Sequence, residues 1–223
     1  MSRARIALAV LLIGALWAGY SFLRKDAIAD SHRQARQLVL RYTLGRVNDP
    51  IIVLGDSLTE ASTLPRIVCG HLVVNAGLNG ASTASDLGRW LVEPLDGKRA
   101  AALLVALGTN DALLGRGTKS FEVDYLSLLA ELAKVTGHLI VLGIPAIEIR
   151  GNVTTEIVAG AMSRIDGFNA ALPALAARAG ASFVPLPPMP TPHTIDGVHL
   201  DADGYKLWDE AVLKGVSSAC GSR

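Results

Sequence analysis

The chain has 223 residues, of which 50% are hydrophobic, 18% charged and 5% aromatic. This length predicts a single domain with a substantial core, and the apolar content excludes a disordered chain. The formal net charge is +1 and no long basic run is present, which argues against a nucleic-acid partner. The two cysteines exclude a disulfide-rich scaffold and form no CxxC metal or redox motif.

The first predicted element is a membrane-spanning helix over residues 6–23, which carry no charge. At about 1.5 Å per residue this helix is roughly 27 Å long, just enough to cross the hydrocarbon core of a bilayer. We therefore expect an uncleaved anchor over residues 1–25. A cleaved signal peptide is the first alternative, because residues 27–29 have the small-x-small form of a cleavage site, and a buried helix of a soluble protein is the second. The anchor and the signal peptide both place the rest of the chain outside the cytoplasm, in the periplasm if the source is bacterial.

Residues 26–49 form a connector that we expect to be helical. They contain the run SHRQARQLVLRYTLGR, which is rich in Arg and Gln with some apolar positions. A solvated linker helix is the simpler interpretation. The alternative is an amphipathic helix whose arginines contact lipid phosphates.

Residues 50–223 are predicted to form one α/β domain, because apolar runs of strand length alternate with helical patterns. Short runs that are apolar throughout suit strands buried on both faces of a parallel sheet. This alternation predicts a three-layer α/β/α sandwich around a five-stranded parallel sheet. The predicted strands are residues 51–54, 72–75, 101–107, 139–142 and 182–184, and the predicted helices are residues 58–67, 83–92, 121–135, 163–179 and 202–216.

Two polar segments lie at the sheet edge where open α/β folds place their active sites. Gly55-Asp56-Ser57 ends the first strand and opens a helix, whose unpaired N–H groups and dipole favour a nucleophile beside its own oxyanion donor. The alternative is that Asp56 or Ser57 only caps the helix. Asp196 and His199 precede the last helix, where the carboxylate can fix the tautomer of a catalytic histidine. An ordinary turn is the alternative.

Two further segments end strands at the same edge. They read NAGLNG over residues 75–80 and GTND over residues 108–111. Acyl transfer needs donors aimed at the oxygen that becomes negative, and a glycine N–H and an asparagine amide supply such donors. Each segment is equally an ordinary turn sequence.

Together, the four segments resemble the motifs of the SGNH hydrolase family, also called GDSL esterases and lipases. The matching residues are GDSLTE (55–60), NAGLNG (75–80), LGTND (107–111) and DGVH (196–199). The resemblance covers roughly residues 50–218, and it implies a flavodoxin-like α/β/α fold. It also implies that neither a metal nor an organic cofactor is required.

The same resemblance assigns roles to individual residues. It implies Ser57 as the nucleophile, His199 as the base and Asp196 as the partner that orients His199. It implies an oxyanion hole built from the N–H groups of Ser57 and Gly80 and from the side chain of Asn110. Gly77 competes with Gly80 for the second of these positions.

We therefore expect a serine ester hydrolase that works through an acyl-enzyme on Ser57, is anchored in the membrane and faces the extracytoplasmic side. Its substrate is expected to be a small-molecule, glycan or lipid ester. The alternatives are a lysophospholipase or thioesterase for long acyl chains, and an O-acetyl esterase or acyltransferase acting on envelope polysaccharide. A non-catalytic binding protein is disfavoured because all three triad residues are present. The oligomeric state stays open.

Two loops are expected to wall the acyl pocket, namely residues 146–161 and the proline-rich residues 185–194. His193, in the second loop, is expected to lie at the surface, and a position lining the pocket is the alternative. Apolar side chains in and next to these loops are compatible with a lipid chain and equally with ordinary packing: Ile144, Ile147, Ile149, Val158 and Met189.

The two cysteines are expected near the sheet edge opposite the active site. Cys69 follows the first predicted helix, and Cys220 follows the last. An extracytoplasmic compartment would permit a disulfide between them. A bridge needs a Cα–Cα distance below about 7 Å, which the sequence does not determine. A disulfide and two free thiols therefore both remain open.

Overall fold

The computed structural model describes residues 30–220. The predicted membrane-spanning helix over residues 6–23 lies outside this part of the chain. Within residues 30–220, no helix combines the length and the apolar content that crossing a membrane requires. Residues 30–44 are helical and are named α1. A compact unit that begins at Leu40 contains the sheet.

A six-stranded sheet forms the centre of this unit. The strands are β1 (Ile51–Gly55), β2 (Ile67–Val68), β3 (His71–Gly77), β4 (Ala102–Ala106), β5 (Leu139–Leu142) and β6 (Ser182–Val184). Their spatial order is β2-β3-β1-β4-β5-β6, and all neighbours are parallel except β2 and β3. Strand β1 is central and every residue in it is buried, which accounts for its uninterrupted apolar sequence.

The sheet corrects the prediction of five parallel strands. Strand β2 is two residues long and pairs antiparallel with β3 at one edge, so apolar run length does not reveal it.

The helix predicted over residues 58–67 is also wrong, because the helix here, α2, spans only Ser57–Glu60. Pro65 explains the difference, since proline disfavours helical backbone in the residue before it and lacks an N–H donor. The chain after α2 therefore leaves the helical conformation and forms β2.

Helices cover both faces of the sheet, so the predicted three-layer α/β/α arrangement is confirmed. Along β1 the side chains alternate between the two faces. Ile52 and Leu54 pack into a core shared with Leu40 and Leu44 and with α3, α5 and α6. Ile51 and Val53 pack on the side of α7. The remaining helices are α3 (Leu87–Leu95), α4 (Thr109–Leu113), α5 (Thr118–Leu132), α6 (Thr155–Arg178) and α7 (Ala202–Cys220).

Several helix bounds differ from the predicted ones, and side-chain hydrogen bonds explain two of them. Helix α6 begins eight residues before the predicted start because Thr154 caps it, its Oγ1 accepting the N–H of Ile157. Helix α3 begins later than predicted because Thr83 bonds to Asp111 instead. Asp201 caps α7, with Oδ1 accepting two N–H groups of the first turn at 3.0 and 3.1 Å.

Cys69 and Cys220 form a disulfide, with Cα atoms 6.2 Å apart and a sequence separation of 151. Cys69 lies in the turn between β2 and β3, and Cys220 ends α7. Both border the amino-terminal edge of the sheet beside Ala102, at the start of β4. This is the edge opposite Ser57, as expected, and the pairing decides between the two alternatives in favour of the disulfide.

Candidate active site

Ser57 lies where β1 ends and α2 begins. Asp56 is the N-cap of α2, and its Oδ1 accepts the N–H of Leu58 at 3.0 Å. Gly55 is required for close packing, because an added Cβ would lie 2.0 Å from Thr59 Oγ1. The cap leaves Ser57 in the first turn of α2, with its side chain half-buried at the carboxyl edge of the sheet.

Ser57, His199 and Asp196 form one chain of hydrogen bonds. Ser57 Oγ lies 3.0 Å from His199 Nε2, and Asp196 Oδ2 lies 2.7 Å from His199 Nδ1. Partial burial raises the pKa of Asp196, but hydrogen bonds from His199 and from the Val198 N–H outweigh it and lower the pKa to about 2. Asp196 is therefore a carboxylate at neutral pH. It favours a proton on Nδ1, which leaves Nε2 to accept the O–H of Ser57.

A tight loop over residues 193–201 carries the acidic residue and the histidine. Within it, the N–H of Ile195 donates to the carbonyl oxygen of His199 at 2.8 Å. Gly197 has a φ of 100°, and an added Cβ there would lie 2.6 Å from the carbonyl oxygen of Glu148. Glycine is thus required at the tip of the loop by its conformation and by a close backbone approach.

The segments that follow β3 and β4 meet beside Ser57. Asn110 Nδ2 donates to the carbonyl oxygen of Ala81 at 2.8 Å, which fixes the amide and engages one of its two hydrogens. Gly80, with a φ of 76°, directly precedes Ala81. Within residues 30–220, no hydrogen-bond acceptor is paired with the N–H of Ser57 or of Gly80. The N–H groups of Ser57 and Gly80 and the second amide hydrogen of Asn110 thus have no acceptor among residues 30–220.

Gly77, the competitor of Gly80, is engaged in packing against α2. Its N–H donates to Asn75 Oδ1 at 2.9 Å, and an added Cβ would lie 2.2 Å from the backbone nitrogen of Glu60. Asn75 in turn donates to the carbonyl oxygen of Thr59 at 2.6 Å. The geometry therefore favours Gly80 of the two glycines.

Asp111 braces the segment that carries Asn110. Its buried carboxylate accepts the N–H and the O–H of Thr83 at 3.0 and 2.6 Å, and it lies 3.2 Å from Arg116 Nε. Burial raises the pKa of Asp111 despite these contacts. The four sequence motifs do not include Thr83 or Arg116, because both residues meet Asp111 only through the fold.

His193 is buried, with 3% of its surface exposed, so the expectation of a surface histidine is wrong. Its ring nitrogens lie 2.7 Å from the carbonyl oxygen of Pro190 and 3.1 Å from that of Ala146. His193 thus joins the two loops that were expected to wall the acyl pocket. No spacing signals this role, because both partners are backbone oxygens and one is 47 residues away.

The apolar wall that was expected to line the acyl pocket is present only in part. A cavity of about 380 Å³ lies between the segment after β5 and the proline-rich loop, and Ile144 and Met189 line it. Ile147 is instead buried in the core, Val158 packs against that core, and Ile149 is exposed. Across residues 30–220, no three His, Cys, Asp or Glu side chains are grouped to hold a metal ion.

The carboxyl group of Asp56, next to Ser57 in the sequence, has a raised pKa that can be tested. Burial raises its pKa to about 7, although the Leu58 N–H and His199 act against the rise. An acid whose folded-state pKa lies above its unfolded value of about 3.8 makes the fold less stable as pH rises between the two values. Asp56→Asn keeps an oxygen for the Leu58 N–H but cannot ionise. We therefore expect its free energy of unfolding, relative to wild type, to increase between about pH 4 and pH 8.

Urea denaturation of both proteins at a series of pH values measures this difference. Subtracting one curve from the other removes the contributions of all the groups the two proteins share. A difference that stays constant with pH would contradict the raised pKa of Asp56.

Comparison with known proteins identifies the family. The model of the GDSL-like lipase/acylhydrolase family matches residues 53–207. A structure from Streptococcus pneumoniae described as a platelet activating factor is 20% identical, covers 89% of this chain and 99% of its own, and has a TM-score of 0.71. A catalytic mutant of an acetylxylan esterase from Geobacillus stearothermophilus is 17% identical, with coverages of 76% and 94% and a TM-score of 0.59.

A GDSL-like lipase from Bacteroides thetaiotaomicron is 21% identical, with coverages of 77% and 89% and a TM-score of 0.59. At these identities the solved structures show a likeness of fold. No curated protein sequence matches the chain at a significant level. The family model, which spans more than half of the chain, settles the assignment. The chain belongs to the GDSL-like lipase/acylhydrolase family, the SGNH carboxylic ester hydrolases.

Proposed function

We propose that the chain hydrolyses carboxylic esters through an acyl-enzyme on Ser57. The observation that carries this proposal is the hydrogen-bonded chain from Asp196 through His199 to Ser57 Oγ. His199 Nε2 accepts the serine proton while Oγ attacks the acyl carbon, and the proton then passes to the leaving alcohol. His199 next takes a proton from water as the water attacks the acyl-enzyme, and it returns that proton to Ser57 Oγ as the acid leaves.

The negative oxygen formed in each attack needs donors that are already in place. The N–H groups of Ser57 and Gly80 and the second amide hydrogen of Asn110 serve this purpose. The bond from Asn110 to the carbonyl oxygen of Ala81 holds the amide before substrate binds. Preorganised donors of this kind need no reorganisation as charge develops.

The acyl group is short in this proposal. The space next to Asp56 and Leu58, the two neighbours of Ser57 in the sequence, is a cavity of only about 10 Å³. Ile144 fills this region so closely that an added Cβ on Gly108 would lie 2.2 Å from its Cδ1. This space has no room for a long acyl chain, and the lining of the larger apolar cavity beside Ile144 and Met189 includes neither Ser57 nor His199. The side chains of His199 and Asp196 are 39% and 50% exposed, which leaves room for a bulky alcohol part such as a sugar chain.

A panel of p-nitrophenyl esters with acyl chains of two to twelve carbons tests this proposal, using the full chain in detergent. We expect kcat/KM to be highest for the shortest chains. Acetylated xylan and a lysophospholipid added to the panel distinguish a glycan ester from a lipid ester. A rate that rises steadily with chain length would contradict the short-acyl proposal and favour a lysophospholipase.

Acyl transfer to a sugar hydroxyl is the second candidate, since the open site admits a sugar as acceptor as readily as a sugar ester. Product analysis with a short ester and an excess of acceptor sugar separates the two reactions. Free acid alone indicates hydrolysis, and an acylated sugar indicates transfer.

We further propose that residues 1–25 stay attached as an anchor and hold the hydrolase domain outside the cytoplasm. The eighteen uncharged residues 6–23 support the anchor. The disulfide supports the compartment, because disulfides persist in oxidising surroundings and are rare in the cytosol. The substrate would then be an ester of the cell envelope or its surroundings.

Thiol counting checks the compartment. Cys69 and Cys220 are the only cysteines of the chain, so the count has no background from other residues. Protein taken from the envelope and unfolded without reductant should contain no titratable thiol, and reduction should release two. Two thiols before reduction would contradict the proposal. The intact mass of the same sample decides between a retained anchor and a cleaved signal.

A further inference from the structure

Glu148 lies in the segment that follows β5, away from every motif in the sequence. Its carboxylate binds the loop that carries His199. Its Oε2 accepts the N–H of His193 at 3.0 Å, the N–H of Thr194 at 2.9 Å and the hydroxyl of Thr194 at 2.6 Å. Thr194 is fully buried, and the side chain of Glu148 is 12% exposed. Three donors on one buried oxygen form a strong, directional contact.

The backbone of Glu148 holds the other side of the same loop. Its N–H donates to the carbonyl oxygen of Gly197 at 2.8 Å. Arg150, two residues on, donates from Nη1 to the carbonyl oxygen of Thr194. One short segment therefore fixes the loop both before and after Asp196.

The ring of His193 lies beside the Glu148 carboxylate. Nδ1 donates to the carbonyl oxygen of Pro190 and lies 3.1 Å from Glu148 Oε1, while Nε2 lies 3.1 Å from the carbonyl oxygen of Ala146. Both ring nitrogens therefore lie within hydrogen-bond distance of a backbone carbonyl oxygen, and one of them also faces the Glu148 carboxylate. Partial burial raises the pKa of Glu148, but hydrogen bonds from Thr194 and His193 and the charge of His193 lower it below its usual value.

We propose that Glu148 is a positioning residue for ester hydrolysis, which holds the loop of residues 193–197 so that His199 stays in line with Ser57. This inference rests on the proposed function. Glu148 touches neither Ser57 nor His199, and it acts on them through Thr194 and Gly197. Small displacements matter here, since misplacing a catalytic group by about 1 Å can lower a rate by up to about 10².

Thr194 offers a matched pair of variants. Thr194→Val removes the hydroxyl that Glu148 binds but keeps the size of the side chain, whereas Thr194→Ser keeps the hydroxyl. We expect Thr194→Val to lower kcat roughly tenfold with KM unchanged, and Thr194→Ser to stay within about twofold of wild type. Equal activity of the two variants, or a change in KM alone, would overturn the proposal.

A double-mutant cycle separates positioning from general stabilisation. Glu148→Gln, which neutralises the carboxylate, should lower kcat roughly tenfold in the wild-type background and have no effect in a His199→Ala background. The residual rate of the His199→Ala protein is measured with p-nitrophenyl acetate. The same loss in both backgrounds would show that Glu148 acts on the fold as a whole.

Glu93→Gln is the control for the change of residue type. It breaks the ion pair of Glu93 with Arg41, which lies at the surface, and should leave kcat and KM unchanged. Failure of the proposed function would appear differently, as activity that survives Ser57→Ala. If the enzyme needs Ser57 but Glu148→Gln lowers kcat equally in both backgrounds, the positioning role of Glu148 is rejected. The proposed ester hydrolysis is then unaffected.

Discussion

Replacing Ser57 by alanine should abolish ester hydrolysis, lowering kcat roughly 10⁴-fold or more, and leave the fold intact. The loss follows from removing the nucleophile, because the remaining donors can stabilise a negative oxygen but cannot form the acyl-enzyme. The fold should survive because Asp56, and not Ser57, caps α2. The Ser57 hydroxyl bonds to His199 alone among residues 30–220.

The measurement is hydrolysis of a short p-nitrophenyl ester by the two purified full-length proteins, alongside their thermal unfolding midpoints. Ser127→Ala is the matched control, because Ser127 is an exposed serine on α5. It should keep full activity. An undiminished rate of the Ser57 variant in a clean preparation would remove Ser57 from the role of nucleophile.

Replacing Asn110 by alanine should lower kcat by about 10²–10³ and change KM little. Removing one preorganised donor from an oxyanion hole has this effect, because the donor acts on the charge that develops only in the transition state. The side chain of Asn110 is prepared for this task by its bond to the carbonyl oxygen of Ala81. Steady-state kinetics on a short ester give kcat and KM separately.

Asn110→Asp provides the sharper comparison. It has nearly the same shape but carries acceptors where Asn110 carries donors. Its charge would repel both the oxyanion and the carbonyl oxygen of Ala81, so the loss of kcat should be at least as large as with alanine. If Asn110→Ala raised KM and left kcat unchanged, Asn110 would be a substrate-binding residue instead.

The features of the fold that could be predicted are those with a local cause. Strands β1 and β5 are buried on both faces, so their composition marks them. The cap at Asp201 is equally visible, because an acidic residue before a helical pattern has a single common role there. The segments around Ser57 and Asn110 were placed correctly because parallel strands end at one edge of the sheet.

The features that could not be predicted depend on contacts between distant segments. Glu148 meets Thr194 across 46 positions of the sequence, and Thr83 meets Asp111 across 28. Neither pair has a spacing that signals its partner. Strand β2 was missed for a related reason, since two residues form a strand only because β3 lies beside them.

The disulfide makes residues 69–220 a covalent ring, and Ser57 lies on the arm outside it. His199 and Asn110 lie within the ring. Strand β1, which leads into Ser57, is inserted between β3 and β4, two strands of the ring. A single proteolytic cut inside the ring would leave one linked molecule until reduction. A cut between Ser57 and Cys69 would instead separate Ser57 covalently from His199.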